Sequence, residues 1–227
     1  MSAFPLGPEQ DEQLDRRHPA PVVPLSFFTR MRSAAPLLAM MLIPAGQAGF
    51  LYFAALFTQN ALGFTPLQTG MSVLPFTAAL LVTNFLTSRL VTRYGERIVG
   101  SLGMLGLLTG LVWMSRIDAA DTFAGGLLGP FVLLGLGAGL TIAPLTAVIL
   151  QQAPPAHVAA ASSLNQAMQQ LGGALGLAVM TTVYGSATAG GAGEAGAIAA
   201  ALTAGVVFPT LALTLFTTWA RPTTTTQ

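Results

Sequence analysis

The sequence predicts an all-α membrane protein, a bundle of six transmembrane helices, on three observations. Charged residues fill only 7% of the 227 positions while apolar residues fill 53% and the mean hydropathy is +0.68, whereas soluble domains are about 25% charged. So few charges cannot cover a soluble surface, and lipid is the main solvent. The charges are also segregated: Glu9, Asp11, Glu12, Asp15, Glu96, Asp118, Asp121, Glu194 and the nine arginines all lie outside the apolar runs. Finally, six runs approach or exceed the roughly 20 residues that a helix needs to cross a hydrocarbon core of about 30 Å. They are continuous rather than alternating, which argues against a β-barrel with strands of about 10 residues.

In chain order, residues 1–33 hold four acids and five prolines before any apolar run. They are unlike a signal peptide and read as a disordered cytoplasmic lead-in. The membrane domain then occupies 34–218, and 219–227 form a cytoplasmic tail. Its first span is Ala34–Thr58. In "GFTPLQTG" Gly63 ends that helix, Thr65 caps the next, Pro66 takes the first helical position and Gln68 completes a capping box. The second span, Pro66–Ser88, therefore folds back as a tight hairpin. "SRLVTRYGER" is read as a short loop leading to the third span, Ile98–Ser115. The fourth, Phe123–Leu150, is broken from the fifth, Val158–Tyr184, by Pro154 and Pro155. The small residues of "GSATAGGAGEAG" lead to the sixth, Gly196–Thr218.

Orientation follows from the arginines. With both termini cytoplasmic, Arg16, Arg17, Arg30, Arg32, Arg89, Arg93, Arg97 and Arg221 lie inside and Arg116 alone outside, a strong positive-inside bias. The expected location is the cell membrane, multi-pass. The chain has no cysteine, which excludes disulfides and thiol catalysis. A net charge of +1 argues against nucleic acid, whose binding needs a clustered basic face. No paired intramembrane acids and no histidine cluster are present, so no enzyme activity and no cofactor or metal are expected. His157 falls at a helix entrance and His18 in the lead-in, and neither reads as a ligand.

The loop from Ser88 resembles the G-x-L-a-D-r-x-G-r-R loop of major facilitator transporters: Ser88 stands for the first glycine and Leu90, Arg93, Gly95 and Arg97 match. Thr92 replaces the acid and Glu96 a basic residue. "PVVPLSFFTRMR", "LGFTPLQTGMSVLPF" and "APLTAVILQQAPPAHVAAASSLNQAMQQLGGALGLAVMTTVYG" resemble, in order and spacing, the C-terminal half of the fourteen-helix drug:proton antiporter branch, from about Pro21 to Tyr184. The resemblance implies one half of a major facilitator fold. In that family the loop's acid helps lock the two halves together; with Thr92 offering only a hydroxyl, the loop reads here as mainly structural, with gating as the alternative. "GGLLGPFVLLG" resembles that branch's glycine-proline motif but lies in a different helix, so its role is not carried over.

Glycines four residues apart (Gly106 and Gly110, Gly125 and Gly129, Gly135 and Gly139, Gly172 and Gly176) predict close helix packing within the bundle. "GLGAG" at Gly135–Gly139 lies inside an apolar run, where a dinucleotide loop does not occur. On the fifth span Ser162, Gln166, Gln169, Gln170 and Gly173 share one helical face, with Ser163 and Asn165 at its margins. Lipid cannot satisfy amides, so this face meets protein or water; it reads either as a wall facing another transporter half or the substrate path, or as glue within the bundle. Gln47, Phe50, Thr141 and Thr146 are candidates to line a cavity, since the family's first and fourth helices surround one and drug sites combine apolar walls with a few polar anchors. Asn84 reads as a helix-helix bond.

No span carries Asp, Glu or His near its middle, where proton-coupled transporters hold such a group. The sequence therefore reads as a transporter half that exports small amphiphilic molecules by proton-coupled alternating access, with the protons carried by residues outside this chain. A separate N-terminal half is the expected partner beside the lipid bilayer. The alternatives are a homodimeric half-transporter formed by self-association, or a truncated, non-transporting membrane protein acting only through a partner.

Overall fold

The computed structural model describes residues 31–117, 122–153 and 158–219. The readings that rest on residues 1–30 (Arg16, Arg17, His18 and Arg30 among them), on Asp118 and Asp121, on Pro154, Pro155 and His157, and on 220–227 with Arg221 lie outside these. Among the described residues every regular element is helical: α1 (Met31–Asn60), α2 (Pro66–Ser72), α3 (Leu74–Tyr94), α4 (Glu96–Met114), a π-helical turn (Phe123–Leu127), α5 (Leu128–Gln151), α6 (Val158–Ala189), α7 (Glu194–Gly205) and α8 (Val207–Trp219).

These make six passages, because α2 and α3 run on from each other, as do the π turn and α5, and α7 and α8. Five of the passages are long and apolar enough to cross a membrane: 35–60, 66–94, 96–114, 123–151 and 194–218. The remaining one, α6, has the length, at 32 residues, but its polar residues leave it less apolar than the rest.

The predicted helix starts at Pro66 and Phe123 coincide with the structure. At the first, the Gln68 amide donates to Thr65 Oγ1 at 3.4 Å, the Thr65 amide donates to Gln68 Oε1 at 2.8 Å, and Gly63 takes φ 67°. A left-handed residue there reverses the chain at no cost to a side chain. The reading of "SRLVTRYGER" as a loop is corrected. Helix α3 continues through Tyr94 and α4 begins at Glu96, leaving Gly95 at φ 81° as the whole connection. Arginines suit the last turn of a helix, where they complement the carbonyl end of its dipole. Likewise α6 runs to Ala189, past the predicted end at Tyr184, and the chain turns at Gly191 with φ 87°.

Helix α5 packs against α3 and α4, while α1 packs against α6 and α8; the groups join where α1 meets α5 and α8 meets α4. Glycines bring the backbones together. A β-carbon on Gly137 would stand 2.6 Å from the Leu107 amide nitrogen and 2.7 Å from the Gly103 carbonyl oxygen, so α4 and α5 touch along their main chains. Gly135 abuts the Phe76 carbonyl and Gly139 abuts Thr83 on α3, while Gly172 and Gly176 abut Met41 and Ala45 on α1. The predicted glycine pairs thus close seams inside the bundle, except that Gly125 sits beside its own helix cap, Thr122. Towards the Gly63 end an aromatic core fills the centre: Phe50 stands edge-on to Phe131 with centroids 5.0 Å apart, and Phe76 and Phe123 extend the cluster.

Candidate functional site: an amide cleft between α1 and α6

Helix α6 presents two unlike faces. Gly172 and Gly176, with Ala161 and Met180, turn inward, whereas Ser162, Gln166 and Gln170 are exposed and Gln169 is half-buried. The outward amides meet the flank of α1 in a shallow cleft of about 240 Å³, lined by Pro44, Gln47, Ala48 and Leu51 on one side and Gln166, Gln169, Gln170 and Gly173 on the other. Gln47, read from the sequence apart from the stripe on α6, therefore stands opposite it. None of these four glutamine amides has a hydrogen-bond partner among the described residues. Each carries two N–H donors and a carbonyl acceptor, so the cleft displays unused hydrogen-bonding capacity without a charged side chain in its lining. Ser162 is exposed on the same helix towards its start, beyond the lining.

Asn165 belongs to the other face. It is 5% exposed, its Nδ2 donates to Thr146 Oγ1 on α5 at 3.4 Å, and its Oδ1 has no partner. Thr146, half-buried, thus joins α5 to α6 near the Gly95 end rather than the amide cleft.

Phe50 and Thr141, named beside Gln47 and Thr146 as cavity-lining candidates, are fully buried within the bundle. Phe50 is held among aromatic rings, and Thr141 donates to the Gly137 carbonyl of its own helix at 2.7 Å. Helical rotation separates them from their companions: at about 100° per residue, Phe50 lies about 60° from Gln47 and Thr141 about 140° from Thr146. Asn84, expected to bond another helix, is exposed on α3.

The motif residues gather at the Gly95 end. Ser88, Arg93, Gly95 and Arg97 are exposed, Leu90 is half-buried, and the Arg93 guanidinium lies 5.4 Å from the centroid of the Tyr94 ring. Thr92 donates to the Ser88 carbonyl at 2.8 Å, which occupies its hydroxyl within its own helix. Glu96 Oε1 instead accepts from Gln151 Nε2 at 3.1 Å and ties the start of α4 to the end of α5. At the opposite end the Asn60 amide donates to Glu194, joining α1 to α7. Sequence reasoning missed both ties because the partners are 55 and 134 residues apart and no local pattern marks them. It also missed a cleft of about 560 Å³ between α4 and the π turn, lined by Trp113, Arg116, Gly125 and Gly126 among others.

Comparison with known proteins finds the family model described as Major Facilitator Superfamily over residues 2–177. The cephamycin export protein of Amycolatopsis lactamdurans is 32% identical over 77% of this chain and 36% of its own length. The tetracenomycin C resistance and export protein of Streptomyces glaucescens is 31% identical over 76% of this chain and 32% of its own. A multidrug resistance protein of Mycobacterium tuberculosis is 32% identical over 75% and 31% respectively. The chain spans about a third of the length of these relatives.

Proposed function

Because this chain belongs to the major facilitator superfamily, we propose that it forms one six-helix wall of an exporter of small amphiphilic molecules, with the α1–α6 amide cleft facing the cargo path. The observation that carries this reading is the set of four glutamines around one open cleft, none partnered among the described residues. An unsatisfied amide in hydrocarbon costs several kcal/mol, so such a face belongs against water, cargo or protein and not against lipid. The cleft's volume of about 240 Å³ falls below the roughly 300–1,000 Å³ of pockets for drug-sized ligands, as expected of half a site.

Transporters of this kind place the site between two bodies that rock against each other. The second body is an N-terminal transporter half, set across the cleft from α1 and α6. When the two bodies part on one side of the membrane the amides meet water; when they close, the amides hold cargo that has replaced it. Coupling protons run through residues outside this chain: Glu96 and Glu194 sit at helix ends, each bonded to an amide. The Gly95 end, with Arg89, Arg93 and Arg97, faces the cytoplasm, in keeping with the arginine distribution. A single cysteine at Gln59 should then react with an impermeant thiol reagent in intact cells while one at Tyr94 stays protected; the reverse pattern overturns the orientation.

The test of function is proton-gradient-dependent dye efflux from proteoliposomes holding this chain with or without the N-terminal half of a related exporter. Efflux should require both, and Gln166→Leu with Gln170→Leu should abolish it while leaving the isolated chain at least as stable. Robust efflux by this chain alone overturns the assigned second body. Undiminished efflux by the doubly substituted pair overturns the placement of the cleft on the cargo path.

A further inference from the structure

Three glycines within five residues of α6, Gly172, Gly173 and Gly176, answer differently to an added side chain. A β-carbon at Gly172 or Gly176 would run into the α1 backbone at Met41 or Ala45, so helix packing explains why those positions are bare. At Gly173 the same atom would find the Ala48 β-carbon at 3.7 Å and the Pro44 carbonyl oxygen at 4.0 Å, ordinary van der Waals contacts. Packing does not require a glycine there. What the missing side chain leaves open is the floor of the amide cleft, since Gly173 belongs to its lining with Gln166, Gln169 and Gln170.

The chemistry of the walls narrows what can occupy that space. All four polar side chains are neutral amides that both donate and accept, and the remaining surface is Pro44, Ala48, Leu51 and Gly173. A cation enclosed here by the second body would lose water without gaining a counter-charge, which is unfavourable. A neutral group with both donors and acceptors would instead exchange its bonds to water for bonds to the glutamines. We propose that this cleft is a subsite for a compact, uncharged group that both donates and accepts hydrogen bonds, such as an imide or a hydroxylated ring, and that Gly173 sets its size limit. The inference rests on the reading of the cleft as a cargo wall and adds what that wall selects.

Two fluorescent probes of similar size separate the alternatives: 4-aminophthalimide, neutral with N–H donors and carbonyl acceptors, and N-methylquinolinium, a permanent cation without hydrogen-bonding groups. Binding of each is measured by titration of the full chain in lipid nanodiscs, with thermal unfolding as a control. The expected result is that Gly173→Ala weakens 4-aminophthalimide and Gly173→Val weakens it at least tenfold, both with unchanged melting temperature. Gln166→Leu and Gln170→Leu should each weaken it roughly 2- to 10-fold, the range of one neutral hydrogen bond. N-methylquinolinium binding should not respond to the glutamine substitutions. Equal losses for both probes overturn the preference for neutral groups while leaving the cleft a cargo wall. No response of 4-aminophthalimide to any variant overturns the subsite, and the efflux assay on the Gln166 and Gln170 variants then decides separately whether the cleft lies on the path at all. If Gly173→Val lowers the melting temperature, Gly173→Ala alone decides the role of Gly173.

Discussion

Along α5, twelve of 24 residues are buried, and the helix meets neighbours on several sides: Gly135 and Gly139 against α3, Gly137 against α4, Phe131 against Phe50 of α1. Along α6 only five of 32 residues are buried: Gly172, Gly176 and Met180 face α1, Met180 also meets Gly205 of α7, and Asn165 reaches towards α5. Both helices use glycine in the same way where they touch a neighbour. They differ in what the other faces do: α5 has almost nothing left to offer a partner, while α6 presents a row of amides outward. The difference teaches that glycine spacing reports packing inside one body, whereas unpartnered polar residues on an outer face report what that body is prepared to meet.

The largest effect that could break this comparison comes from paired glycine substitutions. Gly137→Val forces side-chain carbons into the Gly103 carbonyl and the Leu107 amide, and should cost about 3 kcal/mol or more, enough to prevent recovery of folded protein from detergent. Gly173→Ala should change stability by no more than about 0.5 kcal/mol in the same thermal unfolding assay. If the two lose equally, α6 is packed as fully as α5 and the contrast fails.

A smaller effect separates core from outer face. Phe131→Ala empties a fully buried aromatic site on α5 and should cost about 3 kcal/mol, the low end for such a change because lipid also solvates the unfolded passage. Leu175→Ala, on a side chain 54% exposed on α6, should stay within about 0.5 kcal/mol. Unfolding in mixed detergent micelles measures both, and comparable losses would place Leu175 in an interior.

The smallest effect sharpens the inward seam of α6. Asn165→Leu removes a buried oxygen that has no partner and a single long bond to Thr146. Exchanging a half-satisfied amide for an apolar group of similar size should be neutral or slightly stabilising, within about 1 kcal/mol. A clear loss of melting temperature would mean that the Asn165 oxygen is bonded after all, through an ordered water.

How far the sequence could be read follows from the same physics. Helix starts were legible because caps are local: Thr65, Pro66 and Gln68 mark one within four residues, and Gly63 supplies the reversal before it. The amide stripe was legible because lipid tolerates no unpaired amide, so polar residues at helical spacing stand out against an apolar background. Which way the apolar residues turn was not legible. Core and lipid are alike in polarity, so nothing in the pattern separates Phe50, fully buried, from Phe85, 80% exposed on α3. The inward turn of Phe50 and Thr141 was hidden for that reason, and so was the convergence of Gln47 with the stripe on α6, which depends on how two helices 119 positions apart from Gln47 to Gln166 are rotated against each other. The break at Val73 between α2 and α3, and the one at Val206 between α7 and α8, each lie two or three residues before a proline, Pro75 and Pro209. Proline alone did not reveal them, because Pro36 and Pro44 sit inside an unbroken α1.

The single-residue connection at Gly95 also bears on how the protein is made. One residue spans at most about 3.6 Å, so the end of α3 and the start of α4 have no slack between them and cannot settle at different depths. During synthesis the two helices must enter the bilayer as one hairpin, with Arg89, Arg93 and Arg97 held together at its tip as a single hydrated anchor.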